Sequence, residues 1–62
     1  MVYAVGYDPK VKNLEVVFTS GKTWVYEDVP RKVYQEMIKS SSIGSYMREF
    51  IIDCYDSYQL RR

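Results

Sequence analysis

"TWVYEDVPRKVYQEMIK", residues 23–39, changes its period halfway along. In the first part Trp24 and Tyr26 fall on one side and Val25 on the other, the alternation of a strand. Beyond Pro30 the apolar residues Val33, Tyr34, Met37 and Ile38 recur at helical spacing, while Arg31, Lys32, Gln35, Glu36 and Lys39 lie towards water. Pro30 suits a first helical position because the N–H it lacks would be unpaired there anyway, and Asp28 lies near the positive end of the helix dipole. The stretch therefore predicts a strand over 23–27 and a helix over 30–39 that folds back across the strand's aromatic side.

Towards the N-terminus the period of two continues. "VYAVGY", from Val2, reads as a strand, and "DPKVKN" as a turn in which Asp8 caps its own backbone, Pro9 fixes φ, and Asn13 tolerates a left-handed conformation. "LEVVF" is a second strand with Leu14, Val16 and Phe18 on one face and Glu15 and Val17 on the other; "TSGK" then turns the chain around Gly21. Connections this short imply an antiparallel meander. Towards the C-terminus Ser42 is a helix N-cap, and Ile43, Tyr46, Met47, Phe50, Ile51, Cys54 and Tyr55 follow as an amphipathic stripe, with Ile52 off it beside Arg48 and Asp53. The expected fold is α+β, a two-layer β-β-β-α-α unit in which a three-stranded antiparallel meander is covered on one face by two helices. Its core is Leu14, Val16, Phe18, Trp24, Tyr26, Val33, Tyr34, Met37, Ile38, Tyr46, Met47, Phe50, Ile51 and Cys54.

The chain has 62 residues and reads as one domain over 1–62. A chain of this length buries only about 60% of its unfolded surface, so every large apolar side chain is needed. One cysteine and no histidine leave no intrachain disulfide and no zinc-ligand pattern, and no cofactor motif is present. Stability must come from packing, turns or self-association. The lone thiol, with neither a signal peptide nor an apolar run of membrane-spanning length, points to the cytoplasm. The formal net charge of +1 gives no whole-molecule field towards nucleic acid, so electrostatic binding would be local, at Lys10, Lys12 and Lys22, at Arg31 and Lys32, or at Arg61 and Arg62.

In order and spacing these segments resemble the KTSC domain family, which occurs at the C-terminus of some lysyl-tRNA synthetases and as stand-alone proteins. The resemblance is carried by "VGYDPKVKNLEVVF", by "WVYEDVP" where the family usually shows tyrosine, any residue, tyrosine, by Val33 and Tyr34, and by Ser42, Gly44, Tyr46, Ile51 and Tyr55. Trp24 replaces the first tyrosine, Arg48 stands where the family tends to carry asparagine, and Ile52 where it often has arginine. The resemblance brings with it a suggested association with RNA, which the lost arginine weakens.

Two functional classes follow from the residues. The first is a non-enzymatic module that acts through protein–protein contact and is a homo-oligomer, of the compact kind carried by phages or mobile elements. Its basis is apolar surface beyond what one small core covers, with Val17, Val25, Ile52 and Tyr58 as interface candidates. The alternative is an RNA-binding, DNA-binding or nucleotide-sequestering module that stacks bases on tyrosines and holds phosphates with Arg and Lys. Its candidates are Tyr3, Tyr7, Lys10, Lys12, Arg48, Tyr55, Tyr58, Arg61 and Arg62, on condition that the two termini lie together. For each tyrosine, packing at the core with the hydroxyl at water competes with that role. An enzyme is not expected, because no histidine serves near neutral pH and Cys54 sits on an apolar stripe where a thiolate is disfavoured. Glu27 and Asp28 are adjacent, and strand alternation points them apart.

Overall fold

The structure is a computed structural model that describes residues 2–61. Four strands form one antiparallel sheet in sequence order: β1 Val2–Asp8, β2 Asn13–Phe18, β3 Thr23–Tyr26 and β4 Ser57–Leu60. Helices α1, Arg31–Lys39, and α2, Ile43–Phe50, lie between β3 and β4 in the chain. The α+β class and the two layers are as expected, and the sheet has one strand more than the sequence suggests.

The turns follow their residues. Asp8 Oδ1 accepts the Lys10 N–H at 3.0 Å, and Gly21 takes φ of 91°. In the first hairpin the left-handed residue is Lys12, at φ 60°, whereas Asn13 already opens β2. Pro30 has an extended ψ of 144° and immediately precedes α1, while its carbonyl accepts from the N–H groups of Val33 and Tyr34. Ser42 is the N-cap of α2, its hydroxyl accepting from the Ser45 N–H at 3.3 Å.

The register places Leu14 opposite Tyr26 and Val16 opposite Trp24, so these four share the face under the helices. Leu14, Val16, Tyr26, Val29, Met37, Met47 and Ile51 make the buried cluster, with Phe18, Trp24, Val33, Tyr34 and Tyr46 partly buried against it. Val29, which sits in the link between β3 and α1, is a core residue that the periodicity does not reveal.

Three expected core residues are exposed. From α2 into its C-cap the ridge turned to the core is Ile43, Met47 and Ile51, at i, i+4 and i+8, with Tyr46 partly buried beside it, so Phe50 falls to the side and is 52% exposed. Ile38 is likewise one step round from the buried Met37 and lies in the last turn of α1, where it is exposed. Cys54 is exposed because α2 stops at Phe50. There the Ile51 and Ile52 N–H groups both donate to the Met47 carbonyl, and Asp53 turns left-handed at φ 67°. That reversal ends the helical period before Cys54 and Tyr55 and sends residues 57–60 antiparallel beside β3.

Candidate functional site

The face of the sheet turned away from the helices carries the alternate residues of the same strands. Gly6 pairs with Glu15, Ala4 with Val17, Val25 with Tyr58, and Thr23 with Leu60. Because directly paired residues of an antiparallel sheet point to one side, all of them face the same way. Side-chain size then shapes the surface. Ala4 and Gly6 are small, Val17 and Val25 are intermediate, and Tyr58 stands on the far strand. A trough of about 520 Å³ results. A Cβ added at Gly6 meets no atom within 4 Å, so the hollow beside β1 is open.

The trough unites Val17, Val25 and Tyr58, three of the four interface candidates, and separates them from the fourth. Ile52 borders a small hollow near Val2, Phe18, Met47 and Arg48, on the helix side of the sheet. Val25 is only 5% exposed, so it is the floor of the trough and not a surface contact. Its cover is β4, the strand that the sequence reading lacks: Tyr58 lies directly opposite. Tyr58 itself is 44% exposed. Ala4, Gly6, Glu15 and Leu60 also line the trough and were not candidates. Glu15 and Val17 belong to one alternation on β2, and Tyr58 and Leu60 to one on β4, which is the signal that could have found them.

Along the trough, Asp8 and Glu15 lie towards the first hairpin, and Leu60 lies at the other end.

The nucleic-acid candidates do not converge. β1 and β4 are opposite edges of the sheet, three strand spacings or about 14 Å apart, and although Tyr7 and Tyr58 both border the trough, Tyr7 pairs with Leu14 and turns its ring to the helix side. Tyr7 is stacked on Tyr34, with ring centroids 4.9 Å apart and planes inclined by 11°, and its hydroxyl donates to the Val29 carbonyl at 2.6 Å. It is a packing element with both of its binding features already in use. Tyr55 is half-buried against the core. Lys10 and Lys12 are exposed in the first hairpin, Arg61 is exposed after β4, and Arg62 lies outside the described residues.

Among the described residues, Tyr3 and Arg48 are a candidate ring and a candidate cation that border one cleft. The pairing of β1 with β2 shifts between Val2 and Ala4, which makes Tyr3 the extra residue of a bulge and leaves it 76% exposed. With Arg48 and residues 40–45 it borders a second cleft of about 600 Å³.

Two phenols are pushed above their ordinary value. Burial does this to Tyr26, with a smaller contribution from the negative charge of Asp53. At Tyr46 burial again leads, followed by the hydrogen bond that its hydroxyl donates to Glu36 at 3.2 Å. Among the described residues no group of three His, Cys, Asp or Glu side chains is placed to hold a metal ion, and no helix is long and apolar enough to cross a membrane.

The KTSC domain family matches residues 1–55. An uncharacterized protein of Stutzerimonas stutzeri is 39% identical over 46 residues, a match that covers 74% of this chain and 65% of that protein's length. A protein of Tsukamurella paurometabola is 32% identical over 50 residues, covering 81% of this chain and 75% of the other. The crystal structure of a KTSC domain protein from Yersinia pestis superposes with a TM-score of 0.94 at 25% identity, over 97% of this chain and 84% of that one.

Proposed function

The chain belongs to the KTSC domain family, and from that premise we propose that it is a small binding module without catalytic chemistry, which associates with a second copy of itself through the open face of its sheet. The observation that carries this reading is the trough. All four strands contribute to it, Val17, Val25, Tyr58 and Leu60 give it an apolar side next to Asp8, Asn13 and Glu15, and the helices lie on the opposite side of the sheet. An apolar surface of this kind is a recurrent mark of an interface.

Sedimentation equilibrium across a range of protein concentrations tests the reading. Wild type is expected to exceed the 7.4 kDa of one chain, and Tyr58→Glu, which puts a charge on the exposed wall of the trough, is expected to return to it. Association that is indifferent to Tyr58→Glu would place the interface elsewhere.

Nucleotide or RNA binding is the second reading, supported by Tyr3 and Arg48 sharing one cleft. It ranks lower because single-strand binding relies on several rings in succession, and the cleft that Arg48 borders holds one candidate ring, Tyr3, among the described residues.

A further inference from the structure

The two clefts border successive stretches of the same strand. Residues 2–5 line the larger one and residues 4–8 the trough, so the outer edge of β1 runs open between them. Consecutive residues of a strand point to alternate faces; when all of them line a cavity, the cavity reaches past the backbone itself.

The two edges of the sheet are guarded differently. β4 has four residues and is followed at once by Arg61, which are two common devices against unwanted strand pairing, shortness and charge. β1 has seven residues, with no charge from Val2 to Tyr7 and no proline, and its bulge is confined to the first three, which leaves Ala4–Asp8 regular. An edge of that kind is a template for another strand.

The other wall of the larger cleft is residues 40–45 together with Arg48. Between this wall and residues 2–5 lies a space of about 600 Å³, and the wall brings to it the apolar Ile43, one guanidinium and serines of which Ser40 and Ser42 already hydrogen-bond within the chain. Arg48 is exposed and forms no ion pair among the described residues. We propose that the groove between β1 and residues 40–48 takes an extended peptide segment of a partner protein, which adds as a fifth strand on β1 and places a carboxylate against Arg48. Main-chain hydrogen bonds to β1 would supply affinity, and the apolar residues and Arg48 would select alternate side chains of the segment. A peptide fits better than a nucleotide because the longest surface on offer is unpaired backbone with the repeat of a strand. The groove shares Ala4 and Val5 with the trough, but its other wall, residues 40–45 and Arg48, plays no part in the self-association reading, so either can fail alone.

The test uses amide NMR spectra of the whole chain and a synthetic octapeptide, acetylated and amidated, alternating valine and threonine with one central glutamate. Shifts are expected in residues 2–8 and 40–48, with slowed hydrogen exchange at alternate amides of Ala4–Asp8. Arg48→Glu is expected to weaken binding about tenfold, the scale of one charge-assisted hydrogen bond, and a peptide with lysine in place of glutamate to recover it. A proline in the middle of the peptide should abolish binding, because it removes a ladder N–H. The proposal is overturned if the peptide leaves these amides unmoved up to millimolar concentration, or if Arg48→Glu and Arg48→Gln leave its affinity unchanged. It is also overturned if adenosine monophosphate moves them and the peptide does not, or if β1 becomes protected with rising protein concentration alone, which would make a second copy the occupant.

Discussion

The two faces of the sheet are built from the same strands, and residues one position apart have opposite fates. Leu14 and Val16 are fully buried under α1 and α2, whereas Glu15 and Val17 are half-buried and line the trough. On the covered face side chains are large and interlock: Leu14, Trp24 and Tyr26 meet Met37, Met47 and Ile51. On the open face β1 sets the small Ala4 and Gly6 opposite Val17 and Glu15, and a hollow remains. A strand's period of two lets one short sequence serve stability on one side and recognition on the other. In a chain of this size the two cannot be shared, because the covered face already uses most of its large apolar residues.

If that division holds, substitutions on the two faces must behave differently. The largest effect is expected at Leu14→Ala, which removes a fully buried side chain and should cost about 2–5 kcal/mol in urea denaturation. A domain this small holds roughly 3–9 kcal/mol in all, so this variant approaches unfolding. Tyr7→Phe removes the 2.6 Å hydrogen bond to the Val29 carbonyl and keeps the ring on Tyr34; a loss of about 1 kcal/mol is expected in the same assay. Val17→Thr, on the open face, should stay within about 0.5 kcal/mol. A cost at Val17 equal to that at Leu14 would break the comparison, since both faces would then be core.

A smaller effect concerns pH. The phenol of Tyr26 is held above its ordinary value of 10.0 by burial and then by Asp53. The folded chain therefore keeps a proton that the unfolded chain releases. Its contribution to stability is complete below pH 10.0 and is lost as pH rises from there through the folded value. Thermal melts between pH 9 and 11 should show that decline, and Tyr26→Phe should lessen it; an unchanged slope would mean that Tyr26 is less buried than the register implies.

How far these features could be read from the residues depended on whether each one announced itself locally. β1, β2 and β3 show their period of two, and Pro30 and Ser42 mark the starts of both helices. The end of α2 has no such mark. Ile51, Cys54 and Tyr55 continue the helical spacing by coincidence, while the left-handed turn at Asp53 is decided by how the chain must return to β3. With that turn hidden, "SYQL" could not be seen as a strand, and Val25 looked like surplus surface when β4 in fact covers it. Val17 and Tyr58 were legible as apolar residues in excess of the core. Gly6 and Ala4 were not, because a hollow is made by small residues and periodicity registers only large ones. Tyr3 and Arg48 were legible singly; their shared cleft depends on a bulge and a loop far apart in sequence.

Gly6 offers the most direct test of the claim that the open face is a binding surface. Nothing lies within 4 Å of an added Cβ there, and Gly6 is absent from the positive-φ glycines, so Gly6→Val fills the trough without straining the fold. Multi-angle light scattering of wild type and Gly6→Val, with a thermal melt of each, separates the two roles of the sheet. The account predicts a wild type heavier than 7.4 kDa and a variant that returns to that mass with its melting temperature kept or raised. A wild type that remains at 7.4 kDa at millimolar concentration, or a variant that associates as wild type does, would contradict it.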